Sequence, residues 1–254
     1  MPVENLYYVD RALELVNTAR DRGLTLRILG SLAYRLHCPA NIALFEEMKR
    51  DLTDIDFATS SDQRRDVRDY LGGLGYVIDK DVLVTTEGKR YAFTDPKNGL
   101  NIDVFFDELY FCHPIPLKNR LSLDYPTITP TDLLLEKMQI VEINPKDIKD
   151  SLVLLLEHPI ASNTTDAIDA GYIARLLAAD WGFYHTFTTN LQRLDREMMK
   201  AGFTPEATAT VQGRIAELMQ AIEQAPKGTA WKLRARVGTR MKWYQEVAEK
   251  GQTF

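Results

Sequence analysis

Three segments decide the fold of this chain: LTLRILGS (residues 24–31), DLTDIDFAT (residues 51–59) and NIDVFF (residues 101–106). Each marks a predicted short strand, at 24–29, 53–59 and 100–106, because apolar residues recur in it and glycine, serine or aspartate bounds or interrupts the run. Side chains on a strand alternate between two faces, so Asp54 and Asp56 point the same way. We expect Asp103 to join them from a neighbouring strand.

Gly30 and Ser31 end the first strand and open a second, short helix that we expect to run to about His37. Glycine lets a backbone approach a phosphate closely, a helix N-terminus offers N–H donors, and serine adds a hydroxyl donor. The pair is also typical of a plain strand-to-helix turn in which the serine caps the helix. On its own it leaves both interpretations open.

Asp54, Asp56 and Asp103 lie on two predicted strands, where apolar residues flank Asp56 and Asp103 and Ile55 follows Asp54. Burying acids on one strand face is unfavourable without a counter-charge, and a divalent cation supplies one. For Asp54 and Asp56 alone, a solvent-facing edge strand is the alternative. The repeated pattern at Asp103 favours the metal. The three acids are therefore the predicted catalytic residues and ligands of a site with two Mg²⁺ ions.

Composition and charge limit the classes of protein to which the chain can belong. It has 254 residues, enough for one large or two small domains, and its hydrophobic fraction of 45% predicts a packed core. A net charge of -5 excludes a basic nucleic-acid coat. Two cysteines fit neither a zinc site nor a disulfide framework, so we expect a cytoplasmic protein. The sequence predicts no signal peptide and no membrane span.

The pattern of apolar residues divides the chain near residue 127. Residues 1–127 predict an α+β core, a small mixed sheet flanked by helices, with an irregular connection at 38–50, a helix at 60–76, β-type residues at 76–94 and a hairpin turn at 95–99. Residues 128–254 predict an all-helical part, with helices at 129–143, 144–158, 164–180, 181–200, 204–224 and 229–249.

The order Gly30-Ser31, Asp54-Ile55-Asp56, Asp103 resembles the nucleotidyltransferase superfamily related to DNA polymerase β. GSLAYRLHCP, DIDFAT, FCHPIPLKNRL and LLLEKMQIVEINPKDIKD are similar to minimal bacterial nucleotidyltransferases of unassigned substrate, including those of abortive-infection and toxin–antitoxin systems. The interval from Ser31 to Asp54 is longer than is usual in this superfamily, and an insertion at 38–50 accounts for it.

The resemblance implies a magnesium-dependent enzyme that transfers a nucleoside monophosphate from an NTP, ATP among them, to a hydroxyl acceptor and releases pyrophosphate. The implied acceptors are tRNA, a protein side chain or a small molecule, and an antitoxin-like protein is an implied partner. Gly30, Ser31 and Lys137 are the implied nucleotide-binding residues. The alternatives are a catalytically silent nucleotide- or RNA-binding module of the same fold, or the toxin component of a toxin–antitoxin pair.

Two further sets of residues each have two interpretations. Lys137 interrupts an apolar helix and either reaches solvent or meets an anion, while Asp147 and Asp150 are either salt-bridge partners on a helix or supports for an active-site lysine. The basic segment, defined as residues 227–242, has six basic residues and no acid, and tryptophans lie in and next to it. It predicts either an arm that contacts RNA or a nucleotide, or a closing helix that pairs with an acidic first domain.

Overall fold

The computed structural model describes residues 3–47, 51–162, 165–198 and 202–246. The helices are α1 (Val3–Asp21), α2 (Gly30–His37), α3 (Ile42–Glu47), α4 (Arg64–Gly73), α5 (Lys80–Thr85), α6 (Pro130–Met138), α7 (Pro145–Glu157), α8 (Ala170–Ala179), α9 (Trp181–Met198), α10 (Pro205–Gln224) and α11 (Thr229–Val237). The strands are β1 (Arg27–Leu29), β2 (Ile55–Thr59), β3 (Val77–Ile78), β4 (Arg90–Thr94), β5 (Asn101–Phe106), β6 (Glu108–Tyr110) and β7 (Pro114–Pro116). The predicted α+β class is confirmed.

The described residues form two compact units. The first unit takes in 1–109 and 116–133, and the second takes in 110–115 and 134–254, within the described ranges. The second unit therefore includes a short segment from the end of β6 to the middle of β7, and its main part begins inside α6. The boundary expected near residue 127 stays a prediction.

The first unit is built on a five-stranded mixed sheet in the order β1-β2-β5-β4-β3. Only β2 and β5 run parallel, and the other neighbours are antiparallel. On one face of this parallel pair Ile55 lies opposite Ile102 and Phe57 opposite Val104, all four fully buried. Because side chains alternate, the other face of the same two strands carries the aspartates.

Local signals in the first unit predict some elements and miss others. The strand that ends before Gly30 and the short helix to His37 are confirmed, as is the hairpin at 95–99 that joins β4 to β5. Two helices were not expected. α3 lies within the connection at 38–50, of which 48–50 are outside the described residues, and α5 interrupts the β-type stretch. Asp79 starts α5 by accepting hydrogen bonds from two of its first N–H groups.

The second unit contains the predicted run of helices, with α10 packed against α7, α8 and α9. Fully buried Leu152, Ile173, Leu191 and Leu218, one from each of these four helices, belong to its core. The helix expected over 229–249 ends at Val237, because Gly238 adopts a φ of 62°. Among the described residues, no helix combines the length and apolar character that a membrane crossing requires.

His113 is buried in the second unit with only 2% of its surface exposed. Its ring stacks on Phe183 at 5.0 Å, and Nε2 lies 2.8 Å from the hydroxyl of Thr186. Burial lowers the pKa of His113 from 6.5 to about 4, although the charge of Asp180 opposes the shift. The histidine is therefore neutral in the folded unit near pH 6, where an exposed histidine is substantially protonated.

This shift predicts that the second unit loses stability on acidification. Between pH 6.5 and about 4 the unfolded chain binds a proton at His113, whereas the folded chain does not. The free energy of unfolding therefore falls as the pH falls. The loss is on the order of 3 kcal/mol by pH 4. The His113→Gln variant should lose less over this window. Denaturant titrations followed by tryptophan fluorescence measure it, and equal slopes for both proteins would refute it.

Candidate functional site

Two of the three predicted acids lie opposite each other at the only parallel strand pair of the five-stranded sheet. Asp56 on β2 lies directly opposite Asp103 on β5. Asp54 precedes β2 by one residue and lies two positions from Asp56 along the chain. Asp103 is 5% exposed, whereas Asp54 and Asp56 are partly exposed. The first unit thus has one buried and two accessible carboxylates in a small region.

Gly30, at the junction of β1 and α2, contacts one of these acids. Leu29, the last residue of β1, pairs with Asp56, and Gly30 turns the chain into α2 with a φ of +69°. A Cβ at position 30 would lie 3.3 Å from Cγ of Asp56 and even closer to Oδ2. Only glycine combines this backbone conformation with this close approach. The long interval between Ser31 and Asp54 therefore does not separate the two parts of the site.

Ser31 is the second residue of α2 and is 8% exposed. The capping position belongs to Leu29, whose side chain makes no capping hydrogen bond, so the alternative in which serine caps the helix is wrong. The first turn of α2 also carries no acidic residue. The start of α2 thus has neither a side-chain cap from residue 29 nor an acid in its first turn.

Arg90 is a site residue that the sequence reasoning missed. Its Nη2 lies 2.5 Å from Oδ2 of Asp103, and its guanidinium lies over the ring of Phe105. In the β4–β5 hairpin Ala92 lies opposite Asp103, which places Arg90 two residues away on the same face. The hairpin turn at 95–99 could have identified Arg90, because the turn fixes the register of β4 against β5.

The donor types suit a hard divalent cation, but the three acids do not bring ligand atoms within 4.8 Å of one another in this structure. Carboxylate oxygens are the ligands that Mg²⁺ prefers, and two of the three acids are open to solvent and to substrate. The absence of a side chain at Gly30 lets the Asp56 carboxylate lie against the backbone there. Asp54, Asp56 and Asp103 are the residues that would hold the metal.

Lys137 lies in the second unit, in a group of acids. Its Nζ is 3.1 Å from Glu136 and 3.0 Å from Asp147. Burial lowers the pKa of Lys137, but Glu136, Asp147 and Asp150 outweigh burial and leave the pKa above its usual value. Asp147 is thus a salt-bridge partner of the lysine. The assignment of Lys137 to a triphosphate stays a prediction.

Comparisons with known proteins add little to what the geometry of the candidate site indicates about function. No protein-family profile matches the chain, and no curated protein matches its sequence. Among solved structures, the chain is similar to an antigenic nucleotidyltransferase-like protein from Paracoccidioides brasiliensis, with 14% sequence identity and a TM-score of 0.41. The match covers 91% of this chain and 98% of that chain. The function is therefore inferred from this chain's own residues.

The contact between Gly30 and Asp56 predicts a different response to alanine at two glycines. Gly30→Ala should strain the backbone and displace the Asp56 carboxylate, because the new Cβ has no room. Gly23→Ala is the matched control, with a φ of +76° and no atom within 4 Å of the added Cβ. We expect a loss of about 1 kcal/mol for the control and clearly more for Gly30→Ala. Equal losses in thermal unfolding would contradict the close approach.

Proposed function

We propose that this protein is a magnesium-dependent nucleotidyltransferase that moves a nucleoside monophosphate from an NTP to a hydroxyl acceptor. The observation that supports this function is the register of β2 and β5, which sets Asp56 opposite Asp103 while the Gly30 backbone lies against Asp56. Acids and a glycine turn at one place suit a metal-bound triphosphate. The acceptor classes considered are tRNA, a protein side chain and a small molecule.

The proposed reaction is an in-line displacement at the α-phosphorus. The acceptor hydroxyl oxygen forms a bond to that phosphorus, the bond to the β-phosphate oxygen breaks, and pyrophosphate leaves with the electron pair. The hydroxyl proton passes to the carboxylate of Asp103. Bound Mg²⁺ would neutralise triphosphate charge and favour the ionised hydroxyl.

The residues of the first unit have separate roles in this proposal. Asp54, Asp56 and Asp103 would hold the cations, and of these Asp54 and Asp56 are partly exposed. The first turn of α2, with Gly30 and Ser31, donates N–H groups and a hydroxyl to phosphate oxygens. Arg90 orients Asp103 through its ion pair.

The acids predict a defined loss of activity. Purified protein with Mg²⁺, each labelled NTP in turn, and total tRNA or lysate should transfer label to an acceptor. Asp54→Asn and Asp56→Asn should each lower the transfer by ~100-fold or more, because each removes charge from the reacting centre. Asp69→Asn is the matched control, an exposed acid on α4 of the same unit, and should transfer as the wild type does.

Calorimetry with Mg²⁺ and NTP separates loss of catalysis from loss of binding. If wild type and both variants show the same transfer, and none binds Mg²⁺–NTP, the enzymatic function is wrong.

The ion pair between Arg90 and Asp103 favours a second function, a binding module of the same fold that holds nucleotide or RNA without turnover. A guanidinium at 2.5 Å supplies the counter-charge that a metal would otherwise supply. In this case the carboxylate of Asp103 stays with the arginine, and the site binds a ligand without activating a hydroxyl.

Substitution of Arg90 distinguishes the two functions. Arg90→Gln leaves Asp103 buried without this cation, and should lower stability by about 1–3 kcal/mol. If Asp103 is a metal ligand, Mg²⁺ should raise the melting temperature of Arg90→Gln more than that of wild type, because binding restores a counter-charge. Arg90→Lys, which keeps the charge, is the control. An identical Mg²⁺ response in all three proteins would favour the silent module.

A further inference from the structure

Asp54 differs from the other two acids in what fixes its position. Asp56 and Asp103 lie on β2 and β5, and the pairing of these strands sets the face to which their side chains point. Asp54 lies one residue before β2, whose pairing with β5 begins at Ile55. The position of Asp54 therefore depends on contacts that hold the segment before the strand.

The start of helix α1 supplies such a contact. The side-chain carbonyl of Asn5 accepts a hydrogen bond from the backbone N–H of Leu52 at 3.0 Å. The two residues are far apart in the sequence, and they are 4% and 5% exposed. Loss of a buried hydrogen bond of this kind is unfavourable, because the remaining N–H group has little access to water that could replace the acceptor.

Helix α1 is itself fixed in the core of the first unit. Ala12, Val16 and Ala19 are buried and follow Asn5 at helical spacing, which places all four residues on one face of the helix. Asn5 is thus a buried polar residue on a face that is apolar at the other three positions. Burial of an amide is unfavourable unless it has a hydrogen-bond partner. Its partner is the segment that leads to Asp54.

Asp54 lies between two fixed points of the backbone. Leu52 is held by α1, and Ile55 is fully buried within the parallel strand pair. The hydroxyl of Thr53 donates to Oδ1 of Asp54 at 3.1 Å, which orients the carboxylate within this span. Because only residues 53 and 54 separate the fixed points, Asp54 can shift a short way toward a cation but cannot move far from Asp56.

We propose that Asn5 is a positioning residue for the metal site, because it holds the backbone of Leu52 so that Asp54 is in place to bind a divalent cation. The inference rests on the proposed function in one respect, namely that Asp54 is a ligand of Mg²⁺. Asn5 itself touches neither the metal nor the substrate. A ligand that is held in place beforehand loses less conformational freedom on binding, so the cation binds more tightly.

Substitution of Asn5 separates this role from a purely structural one. Asn5→Leu removes the acceptor and should weaken Mg²⁺ binding about 10-fold, as loss of a residue that supports a metal ligand does. Asn5→Asp keeps an oxygen acceptor and should restore most of the affinity. Calorimetric titration with Mg²⁺, alone and with each NTP in turn, measures both without any turnover. Asn5→Ser, whose side chain is too short to reach Leu52, replaces Asn5→Leu if that variant does not fold.

Tyr70→Phe is the matched control for stability. It removes the buried hydrogen bond of 2.9 Å that the Tyr70 hydroxyl donates to the carbonyl of Leu15 on the same helix α1. The melting temperature of this variant should fall as that of Asn5→Leu does, while its Mg²⁺ affinity should equal that of the wild type. An equal loss of Mg²⁺ affinity in both variants would mean that any weakening of α1 has this effect, and would overturn the proposal.

A double-variant cycle tests whether Asn5 acts through Asp54. In an Asp54→Asn background, Asn5→Leu should change the Mg²⁺ affinity less than about 2-fold, because the ligand that Asn5 positions is already lost. A further loss of about 10-fold in that background would refute the positioning role.

Amide hydrogen exchange tests the contact without any metal. The Leu52 amide should exchange faster in Asn5→Leu than in the wild type, because its acceptor is gone. In Tyr70→Phe it should exchange as in the wild type. An unchanged rate at Leu52 in Asn5→Leu would show that another contact holds the segment, and the proposal would then be wrong.

Failure of this inference and failure of the proposed function give different results. If the wild type transfers no label but binds Mg²⁺, and Asn5→Leu weakens that binding, the transferase function is wrong and the positioning role stands. If the wild type transfers label and Asn5→Leu binds Mg²⁺ as tightly, the positioning role is wrong and the transferase function stands. A wild type that binds no Mg²⁺ would overturn both.

Discussion

The parallel pairing of β2 with β5 is the constraint on which the candidate site depends. A shift of one residue would turn either aspartate to the other face of the sheet and bring an apolar side chain in its place. The register is fixed by the apolar face, where Ile55 opposes Ile102 and Phe57 opposes Val104, all without exposed surface. Core packing on one face therefore positions the chemistry on the other.

Two further contacts complete the arrangement, and both connect residues far apart in sequence. Gly30 approaches Asp56 from β1, and Arg90 reaches Asp103 from β4. Asp56 and Asp103 lie opposite each other on β2 and β5. Each thus has a neighbour from the outer side of this strand pair. The glycine backbone lies against one carboxylate, while the arginine forms an ion pair with the other. The two acids are therefore not equivalent, because Asp56 is partly exposed whereas Asp103 is buried in an ion pair.

Sequence patterns predicted the elements that have strong local signals. They failed where the deciding contact joins residues apart in sequence, or where a single residue decides the structure. The turn at Gly30 and the hairpin at 95–99 were found because glycine and turn residues act locally. α5 was missed because six residues with β-type composition became helical once Asp79 capped them. The three acids could be selected as a set, but Arg90 could not be selected without the register of β4 against β5. The end of α11 depended on one positive φ at Gly238.

Cations show most clearly why composition alone does not identify a binding surface. Lys137, Arg90 and Lys227 have the same formal charge as Lys232, yet acids or backbone carbonyls of the protein engage the first three. Such a cation is largely committed to the fold, because a ligand that recruits it must break existing bonds and leave their partners unsatisfied. An exposed cation without such bonds meets an anion at little loss. The count of basic residues in the basic segment therefore overstates what is open to a ligand, since only outward cations such as Lys232 and Arg236 can meet one without breaking bonds of the fold.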